Sequence, residues 1–164
     1  MSVEEIKARI LEKWGEEAVI NASLEGPQPW LELNPAYLVR IGFFLRDTPQ
    51  LYFDFLACLS GVHYPSEGKL GVVYHLYSIP YHQRLCLKVK VPLDSASQQA
   101  IPSLSSVWRA AEWHEREAFD LFGIVFSDHP DLRRIFLPED WEGYPLRKDY
   151  KEPSEYHDIP TQES

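Results

Sequence analysis

Hydrophobic positions along this chain repeat with two periods, and the switches between them mark out the elements. Ile6, Ile10, Leu11 and Trp14 recur at helical spacing after Ser2, a suitable cap, with Glu4 and Glu5 against the positive end of the helix dipole. A helix over residues 3–14 is predicted, and Gly15 is its natural stop. Residues 18–24 alternate, predicting a strand with Ala18, Ile20, Ala22 and Leu24 on one side. Gly26-Pro27-Gln28-Pro29 then turns the chain into a second short strand around residues 30–33. Asn34-Pro35 couples a cap to proline at the first helical position, and Leu38, Ile41 and Leu45 form the inward face of the helix that follows. This helix is expected to stop before Asp47-Thr48-Pro49. Residues 51–59 form an apolar run whose spacing at Phe55, Leu56 and Leu59 favours a helix, with a strand beginning over 61–64.

The strongest local signal comes next. Leu70, Val72, Tyr74 and Leu76 alternate with Gly71, Val73, His75 and Tyr77, and Leu85, Leu87, Val89 and Val91 alternate with Arg84, Cys86, Lys88 and Lys90. Two half-buried strands joined by a hairpin loop over 79–83 are predicted, with Pro92 ending the pair. Residues 95–106 read as a serine-rich connection holding a weak helical segment. Ser105 or Ser106 then caps a helix over 107–122, closed by Gly123. Beyond it, Pro130, Pro138, Pro145, Pro153 and Pro160 exclude a continuous helix and a central strand, and the residues after Tyr150 read as frayed and acidic. The expected fold is α+β: a small, mainly antiparallel sheet with helices packed on one face over residues 1–123, then a long extended C-terminal arm over 124–164.

Composition narrows the function classes. With 45% apolar residues and 13% aromatics over 164 residues, the chain can bury a core without staples. A net charge of −9 argues against a nucleic-acid binder, which would need a basic face. Cys58 and Cys86 are too few for a four-cysteine zinc site or a cysteine-ligated iron–sulfur cluster, and both sit in apolar patterns as small hydrophobes do. Glu4 and Glu5 interrupt any secretory or transit-like opening, and no apolar run approaches the ~18 residues of a membrane span. A reducing, cytoplasm-facing setting is expected.

No catalytic motif survives inspection. His114-Glu115 opens an H-E-x-x-H pattern whose fifth position is Ala118, so the second histidine is missing. The chain has no G-x-S-x-G elbow, G-x-G-x-x-G turn or Walker loop. Glu115 and Glu117 lie two apart on a helix and do not face each other, and acid–base work by them or by Glu139-Asp140 would need a pocket and a shifted pKa, which a sequence does not display. No catalytic, cofactor-binding or metal-binding residue is therefore nominated.

Residues 115–150 carry the most information. Glu112 and Arg116 are spaced to pair across one helical turn, worth only ~0.2–0.5 kcal/mol when exposed. Val107, Ala111, His114, Ala118 and Leu121 make one stripe of that helix, and Glu115, Phe119 and Phe122 a second, as though it were covered on more than one side. In the arm, Arg133, Arg134, Arg147 and Lys148 are interspersed with Asp128, Asp131, Glu139, Asp140, Glu142 and Asp149, alongside Trp141, Tyr144 and Tyr150. Arginine forks and large aromatics are interface-forming side chains, and proline removes part of the ordering entropy of an extended segment in advance. An assembly arm is expected, with some residues tied down at home and others facing a partner.

Glu115-Arg116-Glu117, Asp120, Gly123, His129-Pro130, Leu132, Arg134, Trp141, Gly143 and Pro145-Leu146-Arg147-Lys148-Asp149-Tyr150 together resemble the signature of the 30 kDa subunit family of respiratory complex I, the NADH:quinone oxidoreductase. The likeness extends more loosely through Val73-Tyr74-His75-Leu76 and Leu85-Cys86-Leu87-Lys88-Val89. His63 departs from it, standing where an acid is expected before Tyr64-Pro65. The resemblance implies a cofactor-free structural subunit of the peripheral arm, held against the neighbouring quinone-site subunit on the cytoplasmic side of the membrane. FMN, iron–sulfur clusters and quinone would reside in other subunits. It further implies an interface role for Glu115, Arg116, Glu117, Asp120, His129, Arg134, Trp141, Pro145, Leu146, Arg147, Lys148, Asp149 and Tyr150. The alternatives are the equivalent subunit of a membrane-bound hydrogenase or ferredoxin-linked complex, a metal-dependent enzyme, and a self-contained binding domain.

Overall fold

Each helix of the computed structural model, which describes residues 1–93 and 100–161, starts and stops for local reasons. Helix α1 (Val3–Trp14) opens with a capping box in which Ser2 Oγ accepts from Glu5 N–H and the Glu5 carboxylate accepts from Ser2 N–H. A short 3-10 turn capped by Asn34 leads into helix α2 (Leu38–Asp47), which buries Leu38, Ile41 and Leu45. Strands β1 (Val19–Ser23), β2 (Trp30–Leu33), β3 (Phe55–Tyr64), β4 (Lys69–Ser78) and β5 (Gln83–Pro92) form one sheet in the order β1-β2-β5-β4-β3. All neighbours are antiparallel except β2 and β5. Leu70, Val72, Tyr74 and Leu76 lie opposite Val91, Val89, Leu87 and Leu85, so the alternating stripes predicted for these strands meet on one buried face.

Beyond β5, a two-residue strand β6 (Ile101–Pro102) precedes helix α3 (Ala111–Phe122), which packs on β3. Strand β7 (Phe126–Ser127) pairs in parallel with β6, and β8 (Glu155–Tyr156) with β9 (Ile159–Pro160) forms a small hairpin.

Three expectations need correction. Residues 51–59 are not helical, and β3 begins at Phe55. A register shift between Leu56 and Cys58 leaves Leu56 and Leu59 buried three residues apart, imitating helical spacing, while Phe55 turns outward. A second shift between Val19 and Asn21 buries Ala18 and Val19 and exposes Ile20 and Leu24, so the predicted β1 face does not form. Helix α3 starts at Ala111 rather than 107, without a serine cap, because Val107 and Trp108 are drawn into the core and Trp108 Nε1 donates to Phe53 O at 2.9 Å. Part of the expected weak helix over 95–106 falls outside the described residues.

Candidate interaction site

Helix α3 and the segment after it form one connected structure. Gly123 closes α3 in the left-handed region (φ 71°), and a Cβ there would come within 2.6 Å of Arg147 and Tyr144. At that turn Arg147 Nε donates to Phe122 O at 2.6 Å while its guanidinium lies 4.5 Å from the Tyr144 ring centre. Leu146 N–H donates to Leu121 O. Gly61 on β3 lets the Phe122 ring approach to 2.6 Å of where a Cβ would stand.

Asp120 is the main anchor. Its Oδ2 accepts from the backbone N–H groups of Ile135, Phe136 and Leu137 at 3.1, 2.7 and 3.0 Å, and its Oδ1 from Arg134 at 3.0 Å. Burial alone would push this carboxyl up, but the N–H groups of Leu137, Phe136 and Ile135 and the Arg134 guanidinium together hold it below the ordinary aspartate value. Arg134 also donates to Trp141 O and Gly143 O. Arg116 is not paired with Glu112. It donates to Arg133 O and Arg134 O, both at 3.1 Å, and lies 5.3 Å from the Trp113 ring centre.

Glu115 is wholly hidden. Oε1 accepts from Leu104 N–H at 2.7 Å, Oε2 lies 2.5 Å from Ser103 Oγ, and Oε2 is 3.8 Å from His129 Nε2. Burial pushes its carboxyl up to about 7 against the opposing bonds from Ser103 and Leu104. His129 donates from Nε2 to Glu112 O and accepts Asp131 N–H at Nδ1.

His63, the departure noted in the sequence, proves to be a latch. Its buried Nδ1 accepts Lys148 N–H at 3.0 Å and lies 3.7 Å from Asp149 Oδ1. Trp141 packs at a tilt against Tyr156, ring centres 5.1 Å apart, and the Tyr156 hydroxyl donates to Asp140, so the stretch after Tyr150 is a docked hairpin rather than a frayed end. The Tyr150 ring packs over Gly143.

The residues singled out in the sequence therefore divide. Glu115, Arg116, Asp120, His129, Arg134 and Arg147 spend their polar groups within the chain. Trp141, Pro145 and Tyr150 are half-buried. Glu117, Leu146, Lys148 and Asp149 face outward. Glu117 and Leu146 flank a recess of about 160 Å³ with Leu59, Gly61 and Phe122. Trp113 and Phe136, 62% and 65% exposed, are not picked out by sequence reasoning; only their neighbours' charge pattern points to this surface. Ser103 carries no signal in the sequence, and Tyr74 is legible there only as a buried strand position. Among the described residues no group of three or more His, Cys, Asp or Glu side chains is placed to hold a metal, and no helix is long and apolar enough to cross a membrane.

Residues 31–156 match the family model described as the respiratory-chain NADH dehydrogenase 30 Kd subunit. The chain is 56% identical over 120 residues to the NADH-quinone oxidoreductase C subunit of Chlorobium phaeobacteroides, covering 73% of this chain and 70% of that one. It is 53% identical over 119 residues to the protein of the same name from Chloroherpeton thalassium, of which the match spans only 48%. A chain in the structure of the membrane-bound sulfane sulfur reductase, an archaeal respiratory membrane complex, shares the fold with a TM-score of 0.73 at 24% identity, over 90% of this chain and 85% of that one.

Proposed function

Because the chain belongs to the family of the respiratory-chain NADH dehydrogenase 30 kDa subunit, we propose that it serves as a structural, cofactor-free subunit in the peripheral arm of a proton-translocating NADH:quinone oxidoreductase. It is a complex I-type subunit. FMN, iron–sulfur centres and the quinone site belong to its neighbours, and this chain positions and seals, with no activity of its own. It lies on the cytoplasmic side of the membrane, attached through the complex, chiefly to the quinone-site subunit.

The observation that carries this reading is the division of labour in residues 111–161. An inner network of Asp120, Arg134, Arg116 and Arg147 fixes the path of the segment after α3 on that helix. The outer side chains Trp113, Glu117, Phe136, Leu146, Lys148 and Asp149 are left outward along that path, mixing apolar anchors with both signs of charge as interfaces do. The proposed contact with other subunits uses this outer set, with the inner set acting through it.

The test is recovery of a tagged chain from solubilised membranes. Co-purification with flavin- and iron–sulfur-containing subunits that oxidise NADH with quinone is expected. A partner set that accepts electrons from hydrogen or ferredoxin instead would replace the NADH reading.

A further inference from the structure

We propose that Glu115 is a proton-binding site, reached from solvent through Ser103 and Ser105, whose occupancy sets how residues 129–131 are held on α3. The carboxyl is fully buried, and among the described residues no lysine or arginine forms an ion pair with it. Among the described residues, the titratable groups around it are Tyr74 from β4, Glu112 from its own helix and His129 from the segment after β7. Tyr74 brings a buried hydroxyl without a hydrogen-bond partner.

The hydroxyl geometry accommodates both protonation states. Ser103 Oγ accepts Ser105 N–H at 3.1 Å and lies 2.8 Å from Ser105 Oγ and 2.5 Å from Glu115 Oε2. One hydroxyl proton and one remaining lone pair must serve those last two contacts. With Glu115 protonated, its O–H donates to Ser103 and Ser103 donates to Ser105. With Glu115 ionised, Ser105 donates to Ser103 and Ser103 donates to the carboxylate. Moving between the two passes one proton along each link, from Glu115 to Ser103, from Ser103 to Ser105, and from the half-exposed Ser105 to water. All three groups are then left bonded and one negative charge remains on Glu115.

That charge has a reader. His129 Nε2–H sits 3.0 Å from Glu112 O and 3.8 Å from Glu115 Oε2, between a neutral acceptor and one that becomes anionic. A carboxylate is the stronger acceptor of the two, so proton loss draws the ring toward Glu115. His129 Nδ1 accepts Asp131 N–H, so the ring carries the backbone at Asp131 with it.

The experiment is a carbon-13 and nitrogen-15 NMR titration of the full-length chain. The Glu115 carboxyl carbon is expected to titrate with a midpoint near 7, and the His129 ring and Asp131 amide to move with the same midpoint. Glu115→Gln, which copies the protonated form, should abolish that inflection at both reporters. Ser103→Ala, which removes a bond favouring the carboxylate, should raise the midpoint further. A Glu115 carboxyl that titrates near the ordinary 4.5 would overturn the proposal, as would reporters that keep their inflection in Glu115→Gln. The carboxyl titration of the parent decides the matter even where a variant fails to fold.

Discussion

Asp120 and Glu115 lie on the same helix with no exposed surface, yet shift in opposite directions, because Glu115 lies deeper in the protein and meets fewer donors. Asp120 meets three backbone N–H groups and a guanidinium, whereas Glu115 meets one N–H and one hydroxyl, too few to offset its burial. Removing the anion at Asp120 takes the carboxylate from Arg134 and leaves three backbone donors without an acceptor, so Asp120→Ala should cost about 3–5 kcal/mol in denaturant unfolding. A loss below about 1 kcal/mol would mean that the 134–137 turn is held by something else. The two groups also set opposite pH windows. Asp120, with its value depressed, contributes stability that is present above the ordinary aspartate range and lost as pH falls below it. Glu115, raised from 4.5 to about 7, imposes a cost that is absent below 4.5 and grows until pH passes the folded value. The full cost is roughly 3 kcal/mol, set by that displacement. Urea midpoints of the parent should therefore fall between about pH 5 and pH 8 relative to those of Glu115→Gln. Parallel profiles for the two chains would contradict the assignment.

At the scale of elements, the α3 C-terminus is the joint on which the last third of the chain turns. Gly123→Ala forces a side chain into the left-handed region, at a cost of roughly 1–2 kcal/mol, and into Arg147 and Tyr144 besides. A drop of at least about 2 kcal/mol is expected, with faster proteolysis of the segment after residue 123. An unchanged unfolding midpoint would show that the joint relaxes freely. The same elements show what a sequence can and cannot disclose. Helices α1 and α2 and strands β4 and β5 are legible, because each is written in one strict period with its own cap or turn. Strands β1 and β3 mislead because a bulge breaks the period without altering composition. The importance of residues 115–150 is visible in their charges and aromatics. Their inner and outer roles are not, since Arg134 and Lys148 look alike until one is seen to donate to Asp120 and the other to face outward.

Taken as a whole molecule, the chain combines a sheet with one buried face and a C-terminal segment that is internally fixed yet, with α3, leaves large apolar groups outside: Trp113 on the helix and Phe136, Leu146 and Ile159 after it. Leu146→Glu and Lys148→Glu touch only this outer set and should leave the chain's own unfolding within about 0.5 kcal/mol of the parent. In the assembled state each should reduce recovery of the complex by roughly tenfold, the equivalent of about 1.4 kcal/mol. Normal assembly by both variants would remove the outer set from the interface. The most direct measurement is native separation of gently solubilised membranes carrying the tagged, unaltered chain, with an NADH:quinone reductase stain and mass spectrometry of the tagged band. The chain should migrate in a large assembly that reduces quinone with NADH. Recovery solely as a free monomer, away from that activity, would contradict its role as a subunit.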